Sequence, residues 1–148
     1  MPTGRNLEIG KIYSNFVAAD LSCCDDETLQ GLVHGCDAVW HCAALSSPWG
    51  NRQDFYESNV TGTERLARAA AQAGVPRFIH ISTPAVYFDY THHHDIEEGF
   101  LAKRFANHYA ATQYLAEKDI ASLVSFFPWS RFLPLPARRL FCRFHTVF

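Results

Sequence analysis

The chain has 148 residues, 48 % of them hydrophobic and 19 % charged, a composition that can bury one globular core and excludes an intrinsically disordered chain. A formal charge of −2 offers no concentrated basic face, so nucleic acid is excluded as the expected partner and small molecules become the default. Five cysteines, an odd number with none at CxxC spacing, indicate neither a disulfide framework nor a zinc site and point to a reducing, cytoplasmic setting.

In chain order, residues 1–10 hold no apolar signal core. Residues 15–20 (NFVAAD) form a short apolar run ending in an acid, a first strand. Asp25 and Asp26 are N-cap candidates for a helix whose apolar positions are Leu29, Leu32 and Val33, with Gly35 as its stop. Residues 37–44 (DAVWHCAA) are continuously apolar, as expected of a strand covered on both faces in a parallel sheet. Phe55, Tyr56, Val60, Thr63, Leu66, Ala67, Ala70 and Ala71 then fall on one helical stripe, which Gly74 ends and Pro76 keeps from resuming. Residues 77–82 (RFIHIS) predict a third strand, residues 91–107 a charged surface loop, residues from 108 a further helix, and residues 122–127 (SLVSFF) a fourth strand.

Strands alternating with helices predict an open α/β fold with a parallel sheet over residues 1–127. Residues 128–148 differ: four arginines lie among aromatic residues, no acid occurs after Asp119, and three prolines interrupt regular structure. They read as an irregular basic and aromatic tail. No stretch is long and apolar enough to suggest a membrane span. The run His92-His93-His94-Asp95 reads as a solvated loop rather than a metal site, because consecutive residues cannot all face one ion.

Ligands of doubly wound sheets bind beyond the carboxyl ends of the strands, where Asp20-Leu21, His41-Cys42-Ala43-Ala44 and Ser82-Thr83 fall. These residues, with FYESNVTGT at 55–63, ISTPAVY at 81–87 and HYAATQYLAEK at 108–118, resemble the extended short-chain dehydrogenase/reductase family, which includes the NAD-dependent epimerase/dehydratases and sterol-type dehydrogenases. The resemblance covers roughly residues 5–127 and implies a partial NAD(P)-binding Rossmann fold. It further implies that Asp20 accepts from the adenine amino group beside Leu21, that His41, Ala43 and Ala44 line the cofactor, and that Asn59 takes its place in the family's NVxGT helix. Thr83 would hydrogen-bond the substrate oxygen with Ser82 as its neighbour, and Tyr109 would be the acid/base.

The family's catalytic helix carries Tyr and, four residues later, Lys, so that both lie on one helical face and the ammonium lowers the phenol pKa. Here Gln113 stands at the lysine position, a neutral amide able to meet a ribose but without charge. The alternative pair at the same spacing, Tyr114 and Lys118, places the flanking residues out of register with the family pattern. The family's GxxGxxG turn, which holds the pyrophosphate at a helix N-terminus, has no match in the sequence, and Gly4-Arg5-Asn6 resembles the residues just after the family's second strand. The resemblance thus implies a fragment without the first βαβ unit and without the C-terminal substrate domain.

Two functions compete. One is an NAD- or NADP-dependent epimerase/dehydratase or dehydrogenase acting on an alcohol or ketone carbon of a sterol-like, flavonoid-like or sugar-nucleotide substrate, inactive in this chain. The other is a non-catalytic remnant or interaction module that uses an exposed sheet edge or the basic tail. Arg5 is a candidate for an NADP 2′-phosphate and does not by itself decide between the cofactors.

Overall fold

The computed structural model describes residues 2–91, 100, 102, 104–126 and 131–135. Two short parallel strands open the chain, β1 (Thr3–Gly4) and β2 (Val17–Ala18), with Thr3 opposite Val17 and the Thr3 hydroxyl donating to the Val17 carbonyl at 2.6 Å. Helix α1 (Asp26–Val33) begins where expected: the Asp25 carboxylate accepts from the Thr28 N–H at 2.7 Å, satisfying one of the free first-turn donors. It stops at His34, and Gly35 follows with a φ of 69° that an L side chain resists.

Strand β3 (Val39–His41) leads to a long helical segment in three parts: α2 (Arg52–Tyr56), one π turn (Glu57–Thr61) and α3 (Gly62–Gln72). Strand β4 (Arg77–Ile81) ends in a short 3₁₀ turn (Pro84–Tyr87), and helix α4 (His108–Phe126) precedes β5 (Arg131–Leu135). β3, β4 and β5 pair in parallel in that order, and β1 with β2 form a separate two-stranded sheet. The parallel α/β architecture read from the sequence is therefore present. Among the described residues, β1, β2, β3 and β5 each present one unpaired edge.

Strand alternation sorts the residues between the two sheet faces. Val39 and His41 stand opposite Phe78 and His80, all on the face under the helices, while Trp40 opposite Ile79 lies on the other face and is 66 % exposed. The core joins Leu29, Leu32 and Val33 of α1, Leu66, Ala67 and Ala70 of α3, Phe78 of β4, and Ile120 and Leu123 of α4. The alanines of α3 let α1 and α4 pack closely against it.

Two expectations about the late chain are corrected. Residues 122–126 are helical rather than the start of a strand, because Ala116, Ile120 and Leu123 continue the buried stripe of α4 and no glycine or proline intervenes before Pro128. A strand forms instead at Arg131–Leu135, inside the segment read as an irregular tail. Pro134 is tolerated there because β5 is the outer strand among the described residues. The histidine run and residues 136–148 lie outside the described residues. Among the described residues no helix is long and apolar enough to cross a membrane, and no group of three or more His, Cys, Asp and Glu side chains is arranged to hold a metal ion.

Candidate functional site

Asp20 follows β2. Its carboxylate accepts from the Ser22 N–H at 3.0 Å and the Ser22 hydroxyl at 2.6 Å, and Arg5 lies 3.5 Å away. The Ser22 hydroxyl, followed by the Ser22 amide and Arg5, holds the carboxyl below its ordinary pKa against the opposing effect of burial. The Leu21 carbonyl accepts from Arg65 at 3.2 Å, and the same guanidinium reaches the Cys24 carbonyl at 2.6 Å and Asp26 at 2.8 Å. Arg65, which the sequence did not single out, thereby docks the loop after β2 onto α3.

After β3 the chain separates two kinds of residue. Ala43 is exposed and Ala44 half-buried, leaving backbone open to an approaching ligand. His41 is buried, with Nε2 2.7 Å from the Thr63 hydroxyl of α3 and its ring stacked on His80 at 5.3 Å between centroids. Burial, with a smaller contribution from His80, pushes its pKa down to about 3. Asn59 sits in the π turn, 1 % exposed; its Oδ1 accepts from the Leu45 N–H at 2.6 Å and its Nδ2 donates to the Leu45 carbonyl at 3.1 Å and the Thr112 hydroxyl at 3.0 Å. Asn59 is thus a clamp between the loop after β3 and α4, and π turns commonly occur where a helix serves a functional site.

At the end of β4, the Ser82 hydroxyl donates to the Glu117 carboxylate of α4, whose pKa burial raises and this bond partly lowers. Thr83 is almost buried; its hydroxyl oxygen caps the following turn by accepting from the Ala85 N–H at 3.3 Å. Helix α4 packs on that turn, and Asn107 caps its first turn by accepting from the Ala110 N–H at 2.9 Å. Tyr109 is half-buried beside this cap.

Four residues on, Gln113 is 1 % exposed and neighbours His80, yet neither His80 Nδ1 nor Nε2, nor Gln113 Oε1, has a hydrogen-bond partner among the described residues. Burial lowers the His80 pKa to about 4, and the nearby Gln113 amide opposes that shift. Tyr109, Gln113 and Glu117 recur at four-residue spacing, a signal that would have picked out Glu117 beforehand. His80 was legible from strand alternation. Lys118 of the alternative register is exposed, its ammonium 5.6 Å from the centre of the Tyr114 ring.

A family model described as the NAD dependent epimerase/dehydratase family matches residues 2–125. The chain belongs to this family. It is 41 % identical over 150 residues to the protein YbjS of Escherichia coli (strain K12), a match covering 99 % of the chain and 44 % of YbjS. A 2-alkyl-3-oxoalkanoate reductase of Shewanella oneidensis is 32 % identical over 116 residues, 78 % of the chain and 30 % of that reductase. The dTDP-glucose 4,6-dehydratase DesIV of Streptomyces venezuelae, solved with NAD and TYD bound, superposes with a TM-score of 0.70 at 25 % identity, covering 85 % of the chain and 39 % of DesIV. The chain thus spans less than half the length of each of these relatives.

The family's cofactor fits one end of this site better than the other. The Asp20 side chain is 34 % exposed and keeps acceptor capacity, and the small side chains of Ala43 and Ala44 stand clear. Gln113, which the resemblance sets at the ribose, is enclosed against His80.

Proposed function

We propose that this chain is the central portion of an NAD(P)-dependent oxidoreductase acting on an alcohol or ketone carbon. The observation that carries the reading is the packing of α4, the helix bearing Tyr109, on the turn after β4 that Thr83 caps. When bound, the nicotinamide would exchange a hydride with the substrate carbon. Tyr109 would exchange its phenolic proton with the substrate oxygen. The Thr83 hydroxyl oxygen already accepts from Ala85, which leaves its proton available for that same oxygen, whereas the Ser82 proton is committed to Glu117. Asp20, Leu21, His41, Ala43, Ala44 and Asn59 form the proposed cofactor side: Asp20 by direct contact, Ala43 and Ala44 by leaving room, His41 and Asn59 by holding the loop after β3.

The Shewanella reductase, named for a ketone-bearing substrate, supports a carbonyl reduction over a sugar-nucleotide epimerisation. Gln113 supplies no cation to favour the phenolate, so slow turnover by this chain belongs to the reading. The unpaired outer edges of the two sheets favour a second reading as a strand-accepting interaction module.

The test is a hybrid in which a relative's N-terminal strand, glycine turn and helix precede this chain, assayed on ketones and secondary alcohols. Loss of about 100-fold in rate on Tyr109→Phe and a smaller loss on Thr83→Ala are expected. A rate unchanged by Tyr109→Phe rejects the reading.

A further inference from the structure

Between the loop after β3 and the start of α4 lies a cleft of about 620 Å³. That volume falls in the range of about 300–1,000 Å³ usual for small-molecule sites. Trp49, Phe55 and Phe105 form apolar walls, and Trp49 is 80 % exposed. The wall at Phe55 is fixed from two sides. The His108 ring lies 6.0 Å from it, and Gly50, at a φ of 148°, brings backbone so close that an added Cβ would stand 3.1 Å from the Phe55 ring.

The polar lining is uneven. The Asn107 Oδ1 is taken up in capping α4, and among the described residues no carboxylate lines the cleft. Arg52, exposed in the first turn of α2, takes part in none of the ion pairs among the described residues. A guanidinium that pairs with no acid among the described residues and lines an aromatic cleft is a receptor for one anionic group on an otherwise apolar molecule. A nucleoside diphosphate would ask for more than one cationic partner, and Arg52 is the one arginine or lysine among the described residues of this lining.

We infer that the cleft binds the apolar chain or ring of a carboxylate-bearing ligand, with Arg52 pairing the carboxylate. The inference rests on the preceding reading only in making this the substrate arm of the site, since His108 of the lining adjoins Tyr109.

Binding is measured on the 148-residue chain without cofactor, by tryptophan fluorescence and calorimetry, with octanoate and 1-octanol as probes. Octanoate should bind at least about tenfold more tightly than octanol, the difference a charged hydrogen-bonded pair supplies. Arg52→Gln should abolish that preference and leave octanol binding unchanged, Arg52→Lys should keep part of it, and Trp49→Leu should weaken both probes and remove the quenching signal. The far-ultraviolet dichroism of each variant should match the parent, because both side chains are exposed. Equal affinity for the two probes, a preference that survives Arg52→Gln, or tighter binding of UDP than of octanoate would overturn the inference. No turnover enters these measurements, so octanoate selectivity together with a hybrid rate unchanged by Tyr109→Phe would reject the oxidoreductase reading alone.

Discussion

At the scale of single residues, Gln113 bears on the proposed chemistry and the buried histidines beside it bear on stability. In the hybrid carrying a relative's N-terminal unit, Gln113→Lys should raise the dehydrogenase rate at neutral pH by about tenfold or more by placing a cation near the Tyr109 phenol, and a Lys118→Ala change should leave the rate alone. Loss of activity on Lys118→Ala would show that Tyr114 and Lys118 form the working pair. His41 and His80 have folded pKa values of about 3 and about 4, below the ordinary 6.5, so the unfolded chain binds more protons than the folded one between those values. Their contribution to stability is complete above about pH 6.5 and is lost as pH falls toward 4. Glu117 and Asp119, raised by burial, act in the opposite sense within the acid part of that window. Urea unfolding of His80→Phe should show a pH slope about 1.4 kcal/mol per unit shallower between pH 4.5 and 6, the contribution of one proton. Stability at pH 7.5 should change little, because the ring nitrogens removed there have no hydrogen-bond partner to lose.

At the scale of elements, the π turn between α2 and α3 places Asn59 where one carboxamide satisfies both backbone groups of Leu45 and reaches Thr112. Asn59→Ala should cost about 3 kcal/mol in urea unfolding, since it leaves buried polar groups without partners. Asn59→Asp should not rescue it, because a carboxylate cannot donate to the Leu45 carbonyl. By comparison, Asp25→Ala removes only the exposed cap of α1 and should cost about 1 kcal/mol. A loss equal to that of Asp25→Ala would mean that the loop after β3 is held by other contacts.

At the scale of the molecule, two parallel sheets share one helical layer, but β1 and β3 are not hydrogen-bonded to each other. Hydrogen exchange should therefore protect the amides of β4, which pairs on both sides, more strongly than those of β3. An added parallel strand, supplied as the N-terminal unit of a relative, should raise the melting temperature by bridging the open edges. The 148-residue chain without that unit should bind NAD(H) and NADP(H) more weakly than about 1 mM, as it carries no glycine-rich turn for the pyrophosphate. A low-micromolar dissociation constant in calorimetry would mean that another segment does that work.

The order of strands and helices was legible because apolar periodicity, the Asp25 cap and the stops at Gly35 and Gly74 are local properties, each written within a few residues. The same holds for the family motifs, whose residues stand at fixed short spacings. The end of α4 was not legible because a short apolar run such as SLVSFF suits either a helix or a strand, and only burial of Ile120 and Leu123 against α3 and Phe78 decides between them. Tertiary structure alone turned Gln113 onto His80, committed Ser82 rather than Thr83 to Glu117, and set Arg52 beside Phe105 across a cleft. Those pairings join residues far apart in sequence, and they depend on how the helices pack on the sheet, which no local pattern encodes.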